Sequence, residues 1–192
     1  MSPSKNIYSV SCITVGVGPA GTTSMLARIA IVDFRGNTVL DTYVAPTMKV
    51  TEYRTATTGI EPAHLSGRNA ASFNQVQQHV ANLIKGQIIV GHSIWNDLSV
   101  LGIPHPAVDT RDVALYQPFR NALRSPHHPI GLPTLMFQLM RRRVQEAEQN
   151  PLENARAALD LYRSDDRDWE DTIKRGSWPC ALPPSTFSRC YI

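Results

Sequence analysis

The sequence is short of the features that mark several classes of protein. Its three cysteines, Cys12, Cys180 and Cys190, include no CxxC pair, and no histidine stands at a zinc-ligand spacing from them. So odd and sparse a set excludes a disulfide framework, points to a reducing compartment, and leaves Cys12 as a buried small hydrophobe. No apolar run approaches the roughly 20 residues that a membrane-spanning helix needs. The opening Met-Ser-Pro-Ser-Lys-Asn lacks the apolar stretch of a secretory signal. Charged residues make up only 18% of the 192, and the net charge of +3 falls below the basic excess of a dedicated nucleic-acid binder. What is present is ordinary for one buried domain: 42% apolar residues and no internal repeat.

One further absence is local. The stretch Tyr8 to Gly18 alternates Val10, Cys12 and Val15 with short or β-branched residues and ends at Gly16 and Gly18, which predicts a central strand. It contains no carboxylate. A second strand is predicted over Met25–Phe34 and a third over Thr38–Val44, joined at Gly36-Asn37, a hairpin-type turn. Ser72 with Gln75 three residues on opens a helix whose Phe73, Val76, Val80 and Leu83 share one face. Gln87–Gly91 is a short buried strand, parallel to the first because a helix separates it from the meander. His92–Leu98 opens another helix, and Ala107–Thr110 is predicted as a fifth strand. Leu132, Leu135, Met136, Leu139 and Met140 recur at helical spacing. Asn150, Pro151 and Glu153 mark the start of a last helix, with a capping side chain, proline at the first position and a carboxylate at the third. The reading is an α/β domain over residues 1–175, with a five-stranded mixed sheet flanked by helices, and a Pro-rich extended tail over 176–192.

Local sequences sharpen this. Val15-Gly-Val-Gly-Pro19, Leu26-Ala-Arg28 with Ile31-Val32, Thr51-Glu-Tyr-Arg-Thr55 with Gly59-Ile60, Val90-Gly-His92 with Asn96-Asp-Leu98, and Asp109-Thr110 occur in one order along the chain. Together they resemble the DEDDh 3′–5′ exonucleases, in the branch of RNA exonuclease 4 and the interferon-stimulated exonucleases. The resemblance implies an RNase H-like fold and, for the family, removal of nucleotides from a 3′ end with two divalent metals. Cations about 4 Å apart need several anionic oxygens around them. In the family's pattern those groups fall on Ser11, Ile13, Asp97, Gln149 and Asn154, of which Asp97 alone is a carboxylate. Ser11 and Asn154 are neutral, Ile13 has no ligating atom, and Gln149 has no proton affinity near neutral pH.

The expectation from these substitutions is a chain that is not an enzyme, binds no metal or other cofactor, and acts as a scaffold or adaptor in an RNA-processing or RNA-silencing assembly. Asp97 would then serve as a capping carboxylate at a helix end. Ile13, Trp95 and Trp178 are the candidate partner-binding residues, the first two making the former site more apolar. An alternative keeps single-stranded RNA in the groove, with Arg54, Arg120, Arg124, Arg141, Arg142 and Arg143 on phosphates and His127 and His128 beside them. A third is an active nuclease with a remodelled metal site built from Asp97, Asp109 and Glu153. The expected setting is intracellular, nuclear rather than cytoplasmic, and away from membranes.

Overall fold

The computed structural model describes residues 5–192. Its sheet holds strands β1 (Ile7–Val17), β2 (Thr23–Asp33), β3 (Thr38–Ala45), β4 (Val50–Glu52), β5 (Ala70–Ser72), β6 (Ile88–Gly91) and β7 (Thr110–Asp112). The order across the sheet is β5-β3-β2-β1-β6-β7, with β4 pairing with β1 off this path. β1, β2 and β3 form the antiparallel meander, and β6 and β7 run parallel to β1. Seven strands replace the five expected because β4 and β5 are three residues each, too short to show an alternating pattern. The last strand also begins later than expected: Ala107–Asp109 is a 3₁₀ turn, and the ladder starts at Thr110.

The α-helices are α1 (Thr55–Thr58), α2 (Phe73–Ile84), α3 (Ile94–Leu101), α4 (Gln117–Ala122), α5 (Leu132–Met140) and α6 (Pro151–Lys174), and helices cover both faces of the sheet, as one with parallel strands requires. On one face, Val10, Ile29, Ile31 and Ile89 pack against Val76, Val80 and Ile84 of α2 and Leu98 and Leu101 of α3. On the other, Val32 and Val90 pack under α5 and α6. α6 starts where its cap signature places it, with Asn150 Oδ1 accepting from Leu152 N at 2.9 Å. Ser9, fully buried in β1, donates to the Ala155 carbonyl of α6 at 2.7 Å, so the strand and the last helix are tied without leaving a polar atom unmet. Trp169 near the end of α6 lies flat on Tyr116, with ring centroids 3.8 Å apart.

Beyond α6 the chain returns along the molecule. Gln117 N donates to Pro179 O at 2.9 Å, Ala181 N to Leu115 O at 2.8 Å and His105 N to Cys190 O at 2.9 Å. A 3₁₀ turn occupies Ser185–Cys190, where an extended run was expected. Phe187 and Tyr191 pack in part against Trp95, Ala114 and Leu115.

Candidate nucleic-acid groove

The groove begins with a gap in the ladder. One edge of β1 is paired with β2 along nearly its whole length. The other edge pairs with β6 only over Ile7–Ser9 and with β4 only at Gly16 and Val17. Between them the strand's amide groups have no neighbouring strand, and an unpaired backbone group away from water must find another partner. Cys12 N finds Asp97, donating to its Oδ1 at 2.7 Å. Asp97 lies in the first turn of α3, yet its carboxylate serves β1, which corrects the expectation that it caps its own helix.

What aims α3 at this gap is Asp112, at the end of β7. Its Oδ1 accepts from Ser93 N and Ala114 N, both at 2.9 Å, and its Oδ2 accepts from Ile94 N at 2.7 Å. Ser93, at the start of α3, takes the left-handed conformation, φ 54°, with its own amide and that of Ile94 both on the Asp112 carboxylate. Gly91 lets the helix come close. A Cβ there would stand 2.8 Å from Ile94 Cγ1 and 2.9 Å from Val10 O, too near for any side chain.

Three adjoining hollows meet at Cys12. The first, about 340 Å³, is bounded by Ser11, His92, Asp97, Gln145, Gln149 and Asn154. The second, about 440 Å³, lies on the other side of Asp97, among Thr14, Thr23, Ser24, Asn96, Ser99 and Phe187. The third, about 190 Å³, leads from Gln149 to Thr57 and Arg54. Burial pushes the Asp97 carboxyl up to about 8 despite the Cys12 amide that favours its charged form. Burial and the neighbouring Asp97 likewise push the Cys12 thiol well up, so it stays protonated. Asp112 is raised by burial too, with its three backbone donors and His92 pulling the other way. Cys12 itself is only half-buried, since it forms the floor where the hollows join.

The five positions that the family's pattern assigns to catalysis divide into two groups. Ser11, Asp97, Gln149 and Asn154 line the first hollow together. Ile13 is 2% exposed and packs with Val15, Ala27, Ile60 and Leu65. Trp95, 5% exposed, is covered by Ala114, Leu115 and the returning tail. Neither side chain is presented to a partner, which corrects both expectations: Ile60 and Leu65 pack over Ile13 where the β1–β2 register shifts, and the tail covers Trp95. Trp178 is exposed beneath the Arg111 guanidinium and borders a separate apolar cavity of about 380 Å³ with Leu182 and Pro183.

The structure does not gather the six arginines. Arg54 reaches the groove, its guanidinium donating to Thr14 Oγ1 at 3.0 Å, Ser24 Oγ at 3.1 Å and Gly21 O at 3.1 Å. Arg120 is buried and donates to His128 O, so it is corrected as a phosphate contact. Arg142 pairs with Asp160 and Arg143 with Glu146, while Arg124, Arg141, His127 and His128 are exposed away from the groove's lining. Sequence reasoning missed Gln145, whose Nε2 donates to Asn154 Oδ1 at 2.9 Å and whose backbone donates to Glu153. It sits in an irregular loop with φ 59°, where no periodicity signals it.

The pair of divalent cations that the resemblance implies does not fit these residues. Asp97 is the one carboxylate in the first hollow, and its Oδ1 is engaged by the Cys12 amide. Among the described residues no three His, Cys, Asp or Glu side chains stand close enough together to hold a metal. The rearranged trio is not assembled: Asp109 pairs with Lys5, and Glu153 accepts from Gln145 N.

Comparison with known proteins places these features. A family model described as RNase_T, exonuclease, matches residues 14–120. The mouse protein named RNA exonuclease 4 is 40% identical over 175 residues, which is 91% of this chain and 40% of that protein. The human protein of the same name is 41% identical over 166 residues, 86% of this chain and 38% of its own length. The chain thus spans about two fifths of the length of these curated relatives. Among solved structures, a Saccharomyces cerevisiae Pan2 pseudoubiquitin hydrolase–RNA exonuclease module in complex with A7 RNA superposes with a TM-score of 0.74 at 26% identity, over 89% of this chain and 30% of that one. These relatives carry exonuclease names, which overturns the expectation that the chain is not an enzyme. The physical reason is that missing ligands exclude one arrangement of metals, while the scaffold and its groove are kept. The adaptor reading that rested on inactivity falls with it. No helix among the described residues is long and apolar enough to cross a membrane.

Proposed function

The chain belongs to the RNase_T exonuclease family and has its RNase H-like fold, and from that premise we propose that it receives the 3′ end of a single-stranded RNA in the groove at Cys12 and Asp97. The observation that carries this reading is the interrupted edge of β1, beside which three hollows that share Cys12 lie open, at the strand where the family's pattern sets its site. The groups there suit a sugar and phosphate: the Ser11 hydroxyl, the amides of Gln149 and Asn154, and the Arg54 guanidinium at one end. Support from outside the chain comes from the Pan2 module, whose solved complex contains RNA. The setting we propose is an RNA-processing assembly with a protein partner inside the cell, the nucleus first.

A gel-shift titration of the purified chain with labelled single-stranded RNA at ~100 mM salt, where phosphate contacts still count, tests binding. A shifted band that duplex RNA competes for poorly is expected; no shift at any protein concentration would refute the reading.

Hydrolysis is a second reading, favoured by the names of the relatives. The groups at hand for it are Asp97, whose carboxyl near 8 can exchange a proton around neutral pH, and the neutral donors that would hold a phosphate. When bound, divalent metals supply nucleophile activation and charge neutralisation to nucleases, and the residues here do not provide their cradle. Shortening of a 5′-labelled RNA, with and without added Mg²⁺ or Mn²⁺, reads this directly.

A further inference from the structure

The second hollow differs from the first in one respect: an aromatic ring from the far end of the chain forms part of its wall. Phe187 arrives from the 3₁₀ turn of the returning tail and lines this hollow together with Thr14, Ser24, Asn96, Ser99, Cys12 and Asp97. Phe187 is half-buried: it packs in part on Trp95, Ala114 and Leu115 and also lines the hollow. Packing onto that cluster restricts the ring's motion, so ordering it on a ligand costs little entropy. Hydroxyl and amide groups beside a restrained aromatic face make the pairing that a nucleotide uses: polar atoms for the ribose and phosphate, a π-face for the base.

On the RNA reading above, which this inference extends, we propose that Phe187 is a stacking platform for a base upstream of the 3′ end. The tail is then part of the binding groove. A base lying there would cross Cys12 from the first hollow, so only an RNA long enough to span both hollows gains from the ring.

The test is a series of 5′-labelled single-stranded RNAs of stepwise increasing length, titrated by fluorescence anisotropy in EDTA against wild type, Phe187→Leu and Phe187→Trp. Wild type is expected to gain affinity in a step at one length. Phe187→Leu, which keeps an apolar anchor for the tail but no ring, should lose about tenfold at and beyond that length and nothing below it. Phe187→Trp should keep the step. Equal binding by Phe187→Leu and wild type at every length overturns the proposal while leaving the groove reading intact. So does a uniform loss at all lengths with a lowered melting temperature, which marks the ring as a tail anchor only. Failure of wild type to bind any RNA sinks the groove reading itself, and that result needs no variant.

Discussion

At the scale of single residues, Asp97 is the most consequential side chain in the groove. A carboxyl in water ionises near 3.8, whereas this one is pushed up to about 8 by burial. Raised folded-state affinity for a proton has a definite sign. The stabilisation is fully present below the unfolded value and is lost as pH rises towards the folded one. The folded chain should therefore lose stability between pH 4 and pH 8, by on the order of 4 kcal/mol from this residue at pH 7. Asp97→Asn keeps an oxygen for the Cys12 amide and cannot ionise. Its melting temperature should vary less with pH than that of wild type and lie above it at pH 8. Parallel melting-temperature profiles for the two proteins would show that Asp97 is ionised in the fold. The same residue illustrates what the sequence conveyed and what it did not. Asp97 is recognisable as the carboxylate kept within Asn96-Asp-Leu98, but that it answers the Cys12 amide depends on a gap between two strands far apart in sequence. Gln145 was not legible, because a loop residue that meets Asn154 through a turn leaves no periodic trace.

At the scale of elements, the junction of β7 and α3 governs the site. Asp112 accepts from two backbone donors at the start of α3, Ser93 N and Ile94 N, and from Ala114 N just after β7, and without it those amides lose their acceptor. Asp112→Ala should cost about 3 kcal/mol in urea unfolding. It should also weaken RNA binding, because Asp97 and Asn96 ride on that helix. A variant as stable as wild type would show that the helix start is held by packing alone. The tail is the second element with consequences. Its backbone bonds to Leu115, Gln117 and His105, and the cover it gives Trp95, predict that a chain ending at Arg175 melts lower, by on the order of 3 kcal/mol in unfolding free energy. An unchanged melting temperature would mean that the tail contributes nothing to the fold. Helices α2 and α6 were legible because caps and apolar spacing agree locally, and α5 because of its apolar spacing alone. The three-residue strands β4 and β5 were not, since their pairing is made by distant partners rather than by their own pattern.

At the scale of the whole molecule, charge and groove act together. The net charge is +3, and of the six arginines proposed for phosphates Arg54 alone lines the groove. Few phosphate contacts release few counterions, so RNA affinity should fall only shallowly with salt, with a log–log slope of about −1 to −2. Because the carboxylate cluster of a two-cation site is absent among the described residues, EDTA should leave binding unchanged. A Mg²⁺-dependent affinity, measured by the same gel shift, would show that a cation site forms when RNA arrives.

The sequence by itself determined the meander, the alternation of helices and strands after it, and the identity of the groups at the five family positions. Caps, turns and apolar spacing are short-range quantities, carried by residues a few places apart. Tertiary structure decided which of those groups share a space. It put Ser11, Asp97, Gln149 and Asn154 in one hollow, turned Ile13 into the core, dispersed the arginines, and brought Phe187 back beside Cys12. Each of these outcomes depends on where β1 loses its neighbours and on how the tail returns. Those are long-range pairings, and no local pattern specifies them.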